Sequence, residues 1–186
     1  SSHGAALGEE EVALVRKKLK WKNKPFEIPQ EILNEWRKIG SKGILEEEKW
    51  KSIYNKKEKN IKEEINRTMN NKLPNEFDKL IFSIKKEIFN LKQDSASRKS
   101  SALVLEKITK KLPELVGGSA DLSGSNNTKT NSSNIIKPAN FKGNYIHYGV
   151  REHGMAGIMN GLALHGGIIP YGGTFLVFLD YCKPSL

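Results

Sequence analysis

Apolar positions along the chain fall into two regimes. Up to Leu112 they recur at helical spacing on highly charged segments; beyond Pro113 they condense into short runs separated by glycines and polar stretches. Ser1–Gly8 reads as a loop, and Glu9, Glu10 and Glu11 complement the dipole of a first helical turn. Val12, Val15 and Leu19 follow at helical spacing and predict a helix to about Lys20. Lys24–Pro29 is extended, because each proline restricts the residue before it. Pro29 suits the first turn of a helix carrying Ile32, Leu33, Trp36 and Ile39, which Gly40 is expected to stop. From Leu45 to about Leu73 the pattern predicts one long amphipathic helix or a pair of them, ended by Pro74, with Trp50, Ile53, Tyr54, Ile61, Ile65 and Met69 as the apolar stripe. Phe77, Leu80, Ile81, Ile84, Ile88 and Leu91 mark the next helix, and Ala102, Leu105, Ile108 and Leu112 another after the polar break Lys92–Ser97. Stripes of this kind are far more often core than cofactor contacts.

After Pro113, Leu115–Gly118 predicts a short buried strand. Ser119–Leu122 then turns into a polar stretch, Ser123–Lys142. A loop of about 20 residues inside a compact domain tends to be functional or mobile. Tyr145–Tyr148 predicts a strand, Glu152 starts a helix, Ile168–Tyr171 predicts another strand, and Gly172-Gly173 a turn into Thr174-Phe175-Leu176. Strand, helix, strand, turn and helix in succession predict an α/β fold, a parallel sheet flanked by helices. In such sheets ligands bind at the carboxyl ends of the strands, where Asp121, Glu152 and Phe175 all fall. Glu152 also meets the positive end of its helix dipole, and Gly154, Ala156, Gly157 and Gly161 behind it predict close packing on a neighbouring element.

Charge changes this picture little. The net charge of +10 raises the possibility of nucleic-acid binding, yet only five of the 31 cationic residues are Arg, the side chain that reads bases bidentately. The lysines interleave with glutamates, as in Lys62-Glu63-Glu64, which is the pattern of a solvated helix face. Neither a nucleic-acid nor a membrane partner is expected. No apolar run approaches the roughly 18 residues of a membrane span, and no secretory leader is visible. The single cysteine, Cys182, fits a reducing compartment and a cytoplasmic protein. The chain opens on Ser and stops at Ser185-Leu186 beside an aromatic pattern, so it is expected to be part of a longer protein.

Four pieces stand in order: Pro113–Leu122 with its Gly-Gly-Ser-Ala-Asp-Leu core, Ser125-Asn126, Tyr148-Gly149-Val150-Arg151-Glu152-His153, and Pro170-Tyr171-Gly172-Gly173-Thr174-Phe175. Ser2-His3-Gly4-Ala5 and Leu7-Gly8-Glu9-Glu10-Glu11 add a His-Gly loop before a helix. Together they closely resemble the transketolase family, thiamine-diphosphate enzymes, over most of the chain apart from Leu45–Gln93. The resemblance implies that residues 1–60 end the diphosphate-binding domain and begin a helical connection. Residues 61–186 would be the first part of the pyrimidine-binding domain, so the α/β fold would be incomplete. Ala6 and Gly124 stand where the family commonly has proline, which should loosen both loops.

What the resemblance implies for chemistry rests on individual residues. Glu152 would be catalytic, contacting the ring nitrogen of the cofactor's aminopyrimidine and favouring the tautomer that takes the thiazolium proton; burial suits a carboxyl that must share a proton with so weak a base. Phe178 would stack on that ring, with Phe175 and Tyr181 beside it, although their spacing alone equally suits core aromatics. Asp121 would support the pyrimidine, or be only a turn former. His3 would serve catalysis, cofactor and substrate; Arg98 and Ser125 would hold a sugar phosphate, although taken alone Arg98 reads as a surface residue and Ser125 as a loop hydroxyl. His147, His153 and His165 read as structural. Nothing resembles the Gly-Asp-Gly…Asn segment that holds Mg²⁺ and the diphosphate, so metal ligands are expected outside this segment. The implied reaction is transfer of a two-carbon ketol unit from a ketose phosphate to an aldose phosphate in the pentose phosphate pathway, by a homodimer with active sites between subunits. The fragment itself would lack a complete site. Related enzymes such as dihydroxyacetone synthase or 1-deoxyxylulose-5-phosphate synthase, and a truncated structural piece, are the alternatives.

Overall fold

A computed structural model describes residues 3–186; Ser1 and Ser2, which open the first loop and the His-Gly motif, lie outside the described residues. The chain divides into two compact units, Ser1–Lys57 and Glu58–Leu186.

The first unit holds α1 (Gly8–Lys18) and α2 (Gln30–Asn55). Acidic Glu9, Glu10 and Glu11 start α1, and basic Arg16, Lys17 and Lys18 close it, so both ends oppose the helix dipole. The stop expected at Gly40 does not occur: α2 is one helix of 26 residues running through Gly40 and Gly43. A glycine inside a helix costs about 1 kcal/mol against alanine but ends it only where the backbone turns left-handed. Neither Gly40 nor Gly43 has a positive φ. The following turns are instead tied by Glu46–Lys49 at 2.7 Å, Glu47–Lys51 at 2.6 Å and a Trp50–Tyr54 ring stack at 5.0 Å. Neither helix contains a buried residue, so the stripe read as core lies at the surface here, with Trp36 68% exposed.

The second unit opens with α3 (Lys59–Met69), α4 (Phe77–Leu91) and α5 (Ser97–Ile108). β1 (Leu115–Ser119), α6 (Ser123–Asn126), β2 (Tyr145–His147), α7 (Glu152–His165) and β3 (Ile169–Gly173) follow. A 3₁₀ turn (Leu176–Phe178), α8 (Leu179–Cys182) and a second 3₁₀ turn (Lys183–Ser185) complete it. The three strands form a parallel sheet in the order β2-β1-β3. Gly172 and Gly173 do not form the expected turn; they are strand residues paired with Gly118 and Ser119. Parallel ladder bonds come from the backbone, so a missing side chain does not exclude them. Gly173 is needed for close approach: a Cβ there would lie 2.3 Å from Thr128 Cγ2 and 2.9 Å from Asn126 Nδ2.

The core gathers Ala120, Tyr148 and Met155, with Ile146 and Met159 packed on them. α7 therefore turns its methionines towards β3, where a Cβ on Gly172 would meet both sulfurs. The close packing expected at Gly157 and Gly161 is absent, since a Cβ at either would meet nothing within 4 Å. The bulkier Met155 and Met159 bury more apolar area and so decide which side of the helix faces inward. Below the sheet, Arg67 of α3 donates to Glu114, just before β1, at 2.7 Å, both side chains being largely buried. Arg67 also pairs with Glu64 and donates to the Lys72 carbonyl, and these partners hold its guanidinium firmly protonated.

Candidate active site

All three parallel strands end on one side, and the segments leaving them carry the residues of interest. After β1 the backbone enters the left-handed region at Asp121, φ 60°, a conformation Asp tolerates better than most residues. Asp121 is exposed there, as a turn residue. After β2 the Tyr148 amide donates to the Ser119 carbonyl at 3.2 Å, and the chain turns at Gly149, φ 71°. Arg151 folds back, its amide donating to the Gly149 carbonyl at 2.8 Å and its guanidinium to the Tyr148 carbonyl at 3.0 Å. A Cβ at Gly149 would lie 2.3 Å from that guanidinium, the far end of a flexible side chain that could shift, so it is the positive φ that favours glycine here.

This turn delivers Glu152 as the first residue of α7, only 8% exposed. Among the described residues no hydrogen bond or ion pair reaches its carboxyl group. The carboxyl keeps a small opening to solvent, and the positive helix end favours its charge. Such a group is positioned to meet a donor or acceptor brought by a ligand.

After β3, Phe175 precedes the 3₁₀ turn, Phe178 ends it and Tyr181 lies in α8. The chain thus forms a tighter turn than the single helix expected, but the three rings still form a series. Phe175 and Phe178 stack at 5.8 Å, and Phe178 and Tyr181 lie tilted at 6.0 Å. Phe178 is half-buried between two more exposed rings.

A cleft of about 660 Å³ opens beside β3 and the start of α5. Arg98, Ser101, Ser125, Asn126, Thr128 and Phe175 are among its lining residues. Arg98 and Ser125, far apart in sequence, are therefore brought to one cleft with Phe175. Glu152, Asp121, Phe178 and Tyr181 do not line it. His3 is exposed in the loop before α1, in the first unit. His147 is exposed in β2 against the Tyr145 ring, His153 lies 3.2 Å from Ser185 Oγ, and His165 contacts the Gly166 carbonyl.

Sequence reasoning missed the hydrogen-bonded bed beneath Ser125. Ser119 is fully buried; its hydroxyl donates to the Gly173 carbonyl at 3.0 Å and accepts from the Leu122 amide at 3.0 Å and Asn126 Nδ2 at 3.1 Å. Tyr145, also fully buried, donates to Ser123 Oγ at 2.7 Å and lies 2.8 Å from Thr128 Oγ1. The Tyr171 hydroxyl donates to the Thr128 carbonyl at 3.1 Å, and burial, with Tyr145 and Tyr148 nearby, pushes it up to about 12. The one available signal was a serine closing a Gly-Gly strand, where an apolar residue would be expected. Among the described residues no group of three His, Cys, Asp or Glu side chains could hold a metal ion. No helix among them is long and apolar enough to cross a membrane.

Comparison with known proteins bears on the whole chain. The family model described as "Transketolase, pyrimidine binding domain" matches residues 93–186, and "Transketolase, thiamine diphosphate binding domain" matches residues 1–74. Transketolase of Buchnera aphidicola subsp. Acyrthosiphon pisum is 48% identical over all of this chain, and transketolase 2 of Vibrio vulnificus 44% identical over 99% of it. The chain spans 28% of the length of either relative. The solved transketolase of Leishmania mexicana superposes with a TM-score of 0.75 at 31% identity, over 98% of this chain and 27% of that one. That of Pichia stipitis in complex with sedoheptulose 7-phosphate gives 0.74 at 31%, over 95% and 27%. A sheet that presents a buried carboxylate at a helix start thus coincides with sequence likeness on both sides of it, and the chain belongs to the transketolase family.

Proposed function

We propose that this chain is the part of a transketolase that supplies the pyrimidine side of the thiamine-diphosphate site and a portion of the sugar-phosphate site. The observation that carries this reading is Glu152, a largely buried residue at the start of α7 whose carboxyl is reached by no polar group of the described residues. It fits a ligand that offers a ring nitrogen, as the aminopyrimidine of thiamine diphosphate does. When bound, that cofactor supplies the electron sink for breaking a carbon–carbon bond next to a carbonyl. Glu152 would hold a proton at the ring nitrogen, Phe178 would pack on the ring with Phe175 and Tyr181 flanking it, and Asp121 would lie nearby as a polar support.

The cleft lined by Arg98 and Ser125 would take the phosphate of a ketose or aldose phosphate: a planar guanidinium fork and a hydroxyl donor suit its oxygens. His3 would serve substrate and cofactor as a residue of the diphosphate-binding part. Residues 1–60 would belong to that part and its connection, and residues 61–186 to the pyrimidine-binding part. Mg²⁺ and the diphosphate would be held by residues outside this chain, in a homodimer acting in the cytoplasm on the pentose phosphate pathway. The reaction is ketol transfer, and this chain carries part of it.

The test is a chimera in which this chain replaces the matching 28% of the Buchnera enzyme. It is expected to transfer ketol units, and Arg98→Ala to raise KM for phosphorylated donors about ten- to a hundredfold, the range for a hydrogen bond to a charged group. An equal rise for an unphosphorylated donor would remove Arg98 from the phosphate site.

A further inference from the structure

α6 is only four residues long and carries Ser125 at the cleft, so its own backbone bonds cannot fix it. What fixes it is a set of buried side chains. Ser119 Oγ uses its single proton on the Gly173 carbonyl and both its lone pairs on the Leu122 amide and Asn126 Nδ2. That one oxygen joins the end of β3 to the entry and the exit of α6. Asn126 in turn accepts from Thr128 Oγ1 at 3.1 Å, and Tyr145 binds Ser123 at the start of the same turn. Ser119 and Tyr145 are the two largest fully buried side chains among the described residues, so both anchors are closed to competing water. Asn126 and Thr128 sit between them and line the cleft themselves.

We propose that Ser119, acting through Asn126, is a positioning residue that sets Ser125 for a phosphate group held between Ser125 and Arg98. This rests on the cleft being a sugar-phosphate site. Ser119 touches no substrate; its hydroxyl determines where the four-residue turn stands against Gly173, and with it the reach of Ser125 across to Arg98. Losing the Ser119–Asn126 bond frees the exit of α6 from the end of β1, while the Tyr145–Ser123 bond at its start and the backbone sheet pairing of Ser119 stay intact.

The test is titration of the complete 186-residue chain with inorganic phosphate, followed through the Ser125 amide and the Arg98 side-chain signals by nuclear magnetic resonance. Wild type is expected to respond at both. Asn126→Ala is expected to weaken binding about two- to tenfold, the span of one neutral hydrogen bond, Ser119→Ala at least as much because it also frees Gly173 and Leu122, and the double variant no further than Ser119→Ala. Asn126→Ala should do so at an unchanged thermal midpoint, which separates placement from folding and stands even if Ser119→Ala does not fold. No response in wild type would overturn the phosphate reading of the cleft, and this proposal with it. A wild-type response that Asn126→Ala leaves at full affinity, or strictly additive losses, would overturn the role of Ser119 alone.

Discussion

At the scale of single residues, the site is organised by what burial does to polar groups. Glu152 and Ser119 are both buried residues, 8% and 0% exposed, but with opposite outcomes. Ser119 has every hydrogen-bonding position filled from within the chain, whereas no described residue reaches the Glu152 carboxyl. The first is therefore read as support and the second as a contact for a ligand. Tyr171 gives this scale a measurable pH dependence. Its hydroxyl is raised from 10.0 to about 12, chiefly by burial. An acid raised in the folded state contributes stability that is complete below pH 10 and is lost as pH climbs through about 12. Alkaline unfolding followed by circular dichroism should thus be shallower for Tyr171→Phe than for wild type across that window; identical curves would show that Tyr171 ionisation does not couple to folding.

At the scale of elements, α3 and β1 are joined by one ion pair that the sequence did not announce. Arg67 lies 47 positions before Glu114, and its side chain is 13% exposed against 4% for Glu114. Removing one member of a buried pair leaves the other charge uncompensated, so Arg67→Met should cost about 3–5 kcal/mol in denaturant unfolding. Adding Glu114→Leu should recover most of it. A single variant as stable as wild type would mean the pair contributes nothing. Where elements were legible, the reason was local: the apolar spacing of Phe77–Leu91 and the acidic start of α1 depend on nothing distant. Gly40 and Gly172-Gly173 were misread because glycine permits a turn without requiring one, and here helix propensity and parallel pairing outweigh it. The Arg67–Glu114 pair and the bed under α6 arise only once the chain is folded, so no spacing rule exposes them. Glu152 was legible as a residue of interest from its motif, while its burial without a partner needed the structure.

At the scale of the whole molecule, the second unit has a sheet and a core, whereas neither helix of the first contains a buried residue. The chain spans 28% of the length of the transketolases it resembles, and its parallel sheet has three strands. The proposed function therefore rests on Glu152 as the carboxyl this part would contribute to a larger site. In the chimera with the Buchnera enzyme, Glu152→Gln keeps the size and the helix start but removes the acid. Relative to the unsubstituted chimera at the same thiamine-diphosphate concentration, kcat for ketol transfer is expected to fall by about 10²- to 10⁴-fold, the range for loss of a positioned acid–base group. A Glu152→Gln chimera that turns over at the rate of its parent would contradict the central claim.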